Sequence, residues 1–277
     1  MTVVTVLHPG AMGAEVARLG VQGGATVRWV SSGRSEATRR RAADAGLQEC
    51  TDLHDALQDC DVVLSICPPA HAEDIARQAA GYRGIYVDAN AIAPERVHRI
   101  AELLPDATVV DGGIIGPPPK WPATTRLYLS GESEAVATLF DGTALEVVVI
   151  SDRLGQASAL KMAYASYQKA SRVLAATAHA LANQHGVGAH LAREAELLEG
   201  RPLAEPEAFT GAAARAWRWA PEMLEIATTL MAAGLPADMA AGAARALDRW
   251  VAVRDRTDTS VAEVLAMLAV APPEAPA

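Results

Sequence analysis

The chain has 277 residues, 51% apolar and 21% charged, enough to bury a sizeable core in one large or two medium domains. A net charge of −9 leaves no basic face for nucleic acid or an anionic membrane, so neither is expected as a partner. Cys50, Cys60 and Cys67 are odd in number and form no CxxC pair, which indicates neither a disulfide framework nor a metal site.

The first residues enter a strand at once, without the charged and apolar regions of a signal peptide. No apolar run is long enough to span a bilayer, and a cytoplasmic location is expected. Val3 to Leu7 is β-branched and apolar throughout, as a strand buried on both faces requires. His8-Pro9-Gly10-Ala11-Met12-Gly13 follows, and then a helical pattern from Ala14. Strand, Gly-rich turn and helix together form the context in which a GxGxxG pattern binds a dinucleotide. The amides at the helix start would take the phosphates, with Gly10 allowing close approach and Gly13 tight helix packing. His8 replaces the first glycine of the pattern.

Further strands are expected at Thr26 to Val30, Asp61 to Ile66, Gly84 to Asp88, Ala107 to Asp111, Arg126 to Leu129 and Leu145 to Ile150. Helices alternate with them, so a doubly wound, mainly parallel sheet of Rossmann type is predicted. Ligands on such sheets bind beyond the strands' carboxyl ends, where Gly10, Ser31, Pro68, Asn90 and Gly113 would converge. After the second strand the chain reads Ser31-Ser32-Gly33-Arg34-Ser35, with no acid until Glu36. Hydroxyls and an arginine suit a ribose 2′-phosphate, which favours NADP over NAD. Two plainer readings stand beside this one: Ser35 caps the next helix while Arg34 is solvated, or Glu36 is a displaced ribose acid. Arg39 to Arg41 read as a solvated helix face.

Between Gly155 and Gly186 roughly thirty residues run without Gly or Pro, a helix of about 45 Å. It serves as the spine joining the sheet domain to an all-helical C-terminal half. Lys161, Tyr164 and Gln168 share one of its faces. Lys161 is either the reacting group or a solvated charge. The second half shows no strand signal; helices are expected to Glu199, then over 212–220, 222–233, 238–253 and 260–269. The stretch Arg215-Ala216-Trp217-Arg218-Trp219 is either core packing, a subunit anchor or a clamp in which Trp217 and Arg218 hold substrate. His179, His185 and His190 read as surface residues. The domains expected are 1–152 for the nucleotide, 153–270 for substrate and dimerisation, and a disordered tail over 271–277.

Several separated motifs resemble the superfamily of β-hydroxyacid and 6-phosphogluconate dehydrogenases, which also contains the imine reductases. The likeness covers nearly the whole chain and is greatest to a bacterial branch with a short, poorly characterised helical C-terminal domain. Gly10-Ala-Met12-Gly13 matches the end of its first turn. Leu64-Ser-Ile-Cys67-Pro68 matches its strand by the nicotinamide. Val87-Asp88-Ala-Asn90-Ala-Ile-Ala-Pro94 matches a strand–Asp–x–Ser/Thr segment, with Asn90 in place of the hydroxyl. Asp111-Gly112-Gly113-Ile-Ile-Gly116 matches a Gly-rich substrate turn. The signature GxGxxxKxxxN falls on Gly155, Ala157, Lys161 and Ala165, with the lysine kept and the asparagine absent.

The resemblance implies an NAD(P)-dependent oxidoreductase moving a hydride between nicotinamide and a small hydroxy- or oxo-acid-like molecule. Lys161 would be its general acid or base, supported by Tyr164. Asn90 would orient the carboxamide or the substrate oxygen. His8 to Gly13, Ser31, Ser32, Arg34, Ser35, Cys67 and Pro68 would hold NADP. Asp111, Gly112, Gly113 and Gln168 would line the substrate site, the two glycines through their amides. Homodimers built through the helical half are also implied. The alternatives are a biosynthetic imine reductase and, further off, an NADP-binding sensor without turnover.

Overall fold

Apolar residues fill both faces of the strands because the sheet is covered on both sides. The computed structural model describes residues 1–197 and 202–269, and of Leu203 only the backbone. The expected tail over 271–277 and the end of the helix expected to reach Glu199 lie outside the described residues. Two compact units emerge, 1–162 and 163–277.

In the first unit an eight-stranded sheet has the order β3-β2-β1-β4-β5-β6-β7-β8. Its strands are β1 (Val3–Val6), β2 (Thr26–Val30), β3 (Gln48–Cys50), β4 (Val62–Ser65), β5 (Ile85–Asp88), β6 (Thr108–Ile115), β7 (Thr125–Ser130) and β8 (Leu145–Ser151). All neighbouring pairs are parallel except β6 with β7. The helices are α1 (Ala11–Gln22), α2 (Glu36–Asp44), α3 (Leu53–Leu57), α4 (Ala72–Gln78), α5 (Pro94–Leu103) and α6 (Glu134–Ala137). Val4, Val6, Leu64 and Val87 pack into a core with Val16 and Leu19 of α1. Val63 and Tyr86 point the other way, into a core with Ile75, Val97 and Ile100 of α4 and α5. The period-2 pleat assigns alternate residues to the two cores.

Register fixes which side chains meet at the carboxyl edge. Val6 pairs with Leu64, Ser65 with Asp88, and Asp88 with Asp111. Three elements depart from the sequence reading. The strand β3 and helix α3 were not expected, because Gln48-Glu49-Cys50 is short, polar and lacks apolar alternation. The segment read as a Gly-rich turn after Asp111 instead continues β6 as far as Ile115, since β7 pairs with it in antiparallel register, Gly112 with Leu129 and Gly113 with Tyr128. A partner strand outweighs the weak strand preference of two glycines.

The helix α7 (Gln156–Gln184) has 29 residues, and the division between units falls within it, after Met162, rather than before it. Its first turns are bonded to the sheet, as described below. The second unit continues with α8 (Gly188–Glu196), α9 (Ala208–Ala214), α10 (Ala216–Ala232), α11 (Asp238–Asp248) and α12 (Val261–Ala269). The break expected at Pro221 is absent: α10 runs through it. One missing N–H near the helix start is offset by burial of Trp219, Met223 and Ile226 on a single face. His179 is also not a surface residue; it is buried and meets Phe209 edge-on at 5.4 Å.

Candidate active site

Leu7 N–H donates to Leu64 O at 3.1 Å, carrying β1 one residue past its end before the chain turns through His8 and Pro9 into α1. Gly10 caps α1 in extended conformation, and the first turn of the helix carries no acidic residue. A Cβ on Gly10 would meet nothing within 4 Å, so the loop's outer surface is open. At Gly13 a Cβ would lie 2.4 Å from His8 O, so that glycine is required for the loop to close on the helix. His8 itself is not among the residues with positive φ. The turn therefore does not need glycine at this position.

Cations gather around this loop. Arg34 Nη2 donates to Leu7 O at 3.3 Å, Arg41 Nε to Pro9 O at 3.3 Å, and Arg39 Nη2 to Ser31 O at 3.0 Å. Arg39 and Arg41 were read as solvated, but α2 turns them back onto the turns after β1 and β2. Glu36 pairs with Arg40 on the surface. Ser35 accepts from Thr38 N–H and so caps α2, the plainer of the two roles weighed for it. Arg34 Nε and His8 Nδ1 are buried with no hydrogen-bond partner. Burial first, then the charges of Arg34 and His71, pull the His8 pKa down to about 4, so its ring is neutral at pH 7. The unspent Arg34 N–H beside an open, acid-free helix start fits a dinucleotide whose phosphates supply acceptors.

At the other end of the same edge the polar groups are buried and fully engaged. Asn90, 2% exposed, accepts from Cys67 N–H on Oδ1 at 2.5 Å and donates through Nδ2 to Ser65 Oγ at 3.0 Å and Asp88 Oδ2 at 2.7 Å. Asp111, 0% exposed, accepts from Ser130 Oγ at 3.0 Å, Ser158 N–H at 2.9 Å and Ser158 Oγ at 2.6 Å. Ser130 Oγ also accepts from Ala157 N–H at 3.0 Å. Two side chains of the sheet thus hold the first amides of α7, where a carboxylate complements the helix dipole. Burial nonetheless raises both acids. Asp88 is pushed up to about 7 against the bonds from Asn90, and Asp111 is also raised against its bonds from Ser158 and Ser130.

These contacts revise the expected role of several residues. Asn90 and Asp111 spend their side chains inside the protein and act on the site by positioning β4, β5 and α7. Gly112 and Gly113 are buried in β6. A Cβ on Gly113 would lie 2.7 Å from Ala157 O and 3.3 Å from Lys161 Cβ, so the glycine lets α7 lie against the strand. The Cys67 thiol is pushed up to about 12, by burial and then by Asp88, and is no nucleophile.

Lys161 stands on the second turn of α7, half-buried, with Nζ donating to Ile114 O at 2.6 Å. Beyond Asp111 the strand β6 has left its pairing with β5, and Ile114 belongs to that released segment. The lysine thus reaches the end of β6, one residue beyond Gly113. Tyr164 and Gln168 follow on the same helix but belong to the second unit. There Tyr164 is exposed and Gln168 O accepts from Arg172 Nη1 at 2.6 Å. In the same unit Trp219 is buried and Trp217 half-buried, its Nε1 donating to Asp255 at 3.1 Å. Residues that sequence reasoning missed are Ser65, Ser130 and Ser158; Ser65 and Ser158 fall at unspecified positions within the matched motifs, and Ser130 has no motif around it.

Comparison with known proteins gives the same architecture. Residues 182–250 match a domain of unknown function (DUF1932). An uncharacterised 28.5 kDa protein of Methanothermus fervidus is 29% identical over 174 residues, 62% of this chain and 68% of that protein. A solved conserved protein of unknown function, described as structurally similar to 3-hydroxyacid dehydrogenases, is 28% identical, with 91% of this chain and 97% of that chain covered and a TM-score of 0.66. The Mycobacterium tuberculosis 3-hydroxyisobutyrate dehydrogenase with L-serine is 18% identical, covering 98% and 100% of the two chains, at a TM-score of 0.72. The Aspergillus terreus reductive aminase with NADPH and ethyl levulinate is 18% identical, covering 96% and 99%, at a TM-score of 0.56.

Proposed function

We propose that the chain is an NADPH-dependent oxidoreductase of a small oxo- or hydroxy-acid-like substrate, a reading supported by the fold it shares with a solved 3-hydroxyisobutyrate dehydrogenase and a reductive aminase. The observation that carries this reading is Lys161, held at the sheet's carboxyl edge by α7 while the Gly10–Gly13 loop opens on the same edge. The cofactor supplies the hydride chemistry. The amides at the start of α1 bind the pyrophosphate. Arg34, with Arg39 and Arg41 behind it, supports a 2′-phosphate and so NADP over NAD. Cys67, its N–H fixed by Asn90, and Pro68 would line the nicotinamide site.

Lys161 Nζ holds the proton delivered to the substrate oxygen during reduction, and takes it back in the reverse direction. Ile114 O keeps Nζ in place before substrate arrives. Imine reduction is the second reading; the absence of an asparagine at Ala165 favours it and the presence of Lys161 disfavours it. Oxidation of NADPH and of NADH should be followed with a panel of oxo acids, semialdehydes and cyclic imines. Turnover of an oxo acid supports the first reading, and turnover of cyclic imines alone replaces it with the second. No turnover of any class, together with tight NADPH binding, means a sensor.

The chain is also expected to form a homodimer through its helical half. Tyr167, Leu174 and Leu181 recur every seven residues on α7 and are 73%, 65% and 58% exposed, an apolar stripe that a monomer would leave in water. Light scattering at micromolar concentration checks it, and a stable monomer rejects it.

A further inference from the structure

The helical unit gathers cations around one indole. Lys169 of α7, 5% exposed, is ion-paired with Glu222 of α10 and lies 5.7 Å from the ring centre of Trp219. The Arg215 guanidinium lies over the same ring at 5.3 Å. One turn along α10, Arg218 lies over Trp217 at 5.6 Å, and Arg254 covers that ring at 3.7 Å. Arg172 comes from α7, its guanidinium held by Gln168 O.

Glu222 is committed to Lys169. Asp255 takes the Trp217 indole N–H and a contact from Arg254 at 3.4 Å. Among the described residues no carboxylate pairs with Arg172, Arg215 or Arg218. Arg215 lies close enough to the other two that both, after partial burial, draw its pKa down. Arg215 and Arg218 are exposed and Arg172 half-buried, and a bound anion would relieve the mutual repulsion of the three charges. Two of the three guanidiniums rest on indole faces, which fixes their planes and leaves their N–H edges unspent.

We propose that Arg215 on Trp219, Arg218 on Trp217 and the neighbouring Arg172 form an anion site in the helical unit that takes a carboxylate or phosphate group of a small molecule. Guanidinium forks bind either group through paired charge-assisted hydrogen bonds. The buried Lys169–Glu222 pair is the site's support: it links α7 to α10 and keeps Trp219 in place. This site does not depend on the oxidoreductase reading, because it requires neither NADPH nor Lys161.

The test is isothermal titration of the full chain at low ionic strength with inorganic phosphate and, separately, malonate. Native protein is compared with Arg218→Gln, Arg215→Gln/Arg218→Gln and Arg34→Gln. Saturable binding is expected in the native chain and in Arg34→Gln, and it should persist when NADPH is present in excess, which separates it from the nucleotide loop. Each arginine removed from the cluster should weaken it roughly tenfold, the loss of one charge-assisted hydrogen bond. The stronger of the two titrants identifies the group. Arg218 is exposed, so its single variant should keep the native circular dichroism and, without anion, melt no lower than the native chain. Absence of saturable binding by either anion overturns the site. So does binding that survives the double substitution, or a clear loss of stability in anion-free Arg218→Gln. None of these outcomes bears on NADPH turnover.

Discussion

The two ends of the sheet's carboxyl edge are built on opposite plans. Around α1 and α2 the polar groups are backbone amides and long arginine side chains, with buried nitrogens left unpartnered at His8 and Arg34. Around β5, β6 and the start of α7 the working groups are short polar side chains, and those of Asn90 and Asp111 have their oxygens taken. The first plan leaves capacity for a ligand. The second uses its capacity to hold one helix, and through it one lysine. Substitutions at the first end should change affinity and leave the fold, whereas those at the second should reach the fold or the chemistry.

The largest break in stability is expected from Asp111→Ala. It strips partners from Ser130, Ser158 and the first amides of α7, and should cost about 3 kcal/mol or more by urea unfolding. A loss below about 1 kcal/mol would mean that α7 is held elsewhere.

Next is the pH dependence of Asp88. Its folded pKa of about 7 lies above its unfolded value of 3.8, so the folded state binds the extra proton between those limits. Its contribution therefore falls as pH rises through that window. Asp111 is raised as well and acts in the same direction, while His8, lowered to about 4, acts oppositely below pH 6.5. Comparing Asp88→Asn with the native chain cancels both. The variant should gain about 2–3 kcal/mol relative to native between pH 5 and pH 8. Parallel stability curves would contradict the raised pKa.

The smallest effect lies at the nucleotide end. Arg34→Glu should leave the melting temperature within a few degrees and remove a preference for NADPH over NADH of roughly tenfold or more. Equal affinity of the native chain for both cofactors, by titration calorimetry, would end the 2′-phosphate assignment.

Much of this contrast was legible in the sequence at one end only. Val3 to Leu7 followed by the glycines announced the β1–α1 turn because strand, turn and helix are local patterns. The same locality made the roughly thirty unbroken residues of α7 visible. The end around Asp111 and Asn90 depends on contacts distant in sequence. Asp111 meets Ser158 across 47 positions and Asn90 meets Ser65 across 25, contacts that only sheet register supplies. Gly112 and Gly113 read as a turn because glycine is a poor strand former, yet β7 pairs with them and α7 needs their missing side chains. Likewise Pro221 reads as a break, but burial along one face of α10 carries the helix through it.

The claim on which the account turns is that Lys161 moves the proton. Its direct measurement is kcat, NADPH affinity and melting temperature of Lys161→Met beside the native chain, on a substrate found in the oxo-acid and imine panel. Turnover should fall about a hundredfold or more while cofactor affinity and fold are retained. Turnover within a few fold of native, with the same affinity and melting temperature, would make Lys161 a bystander and contradict the account.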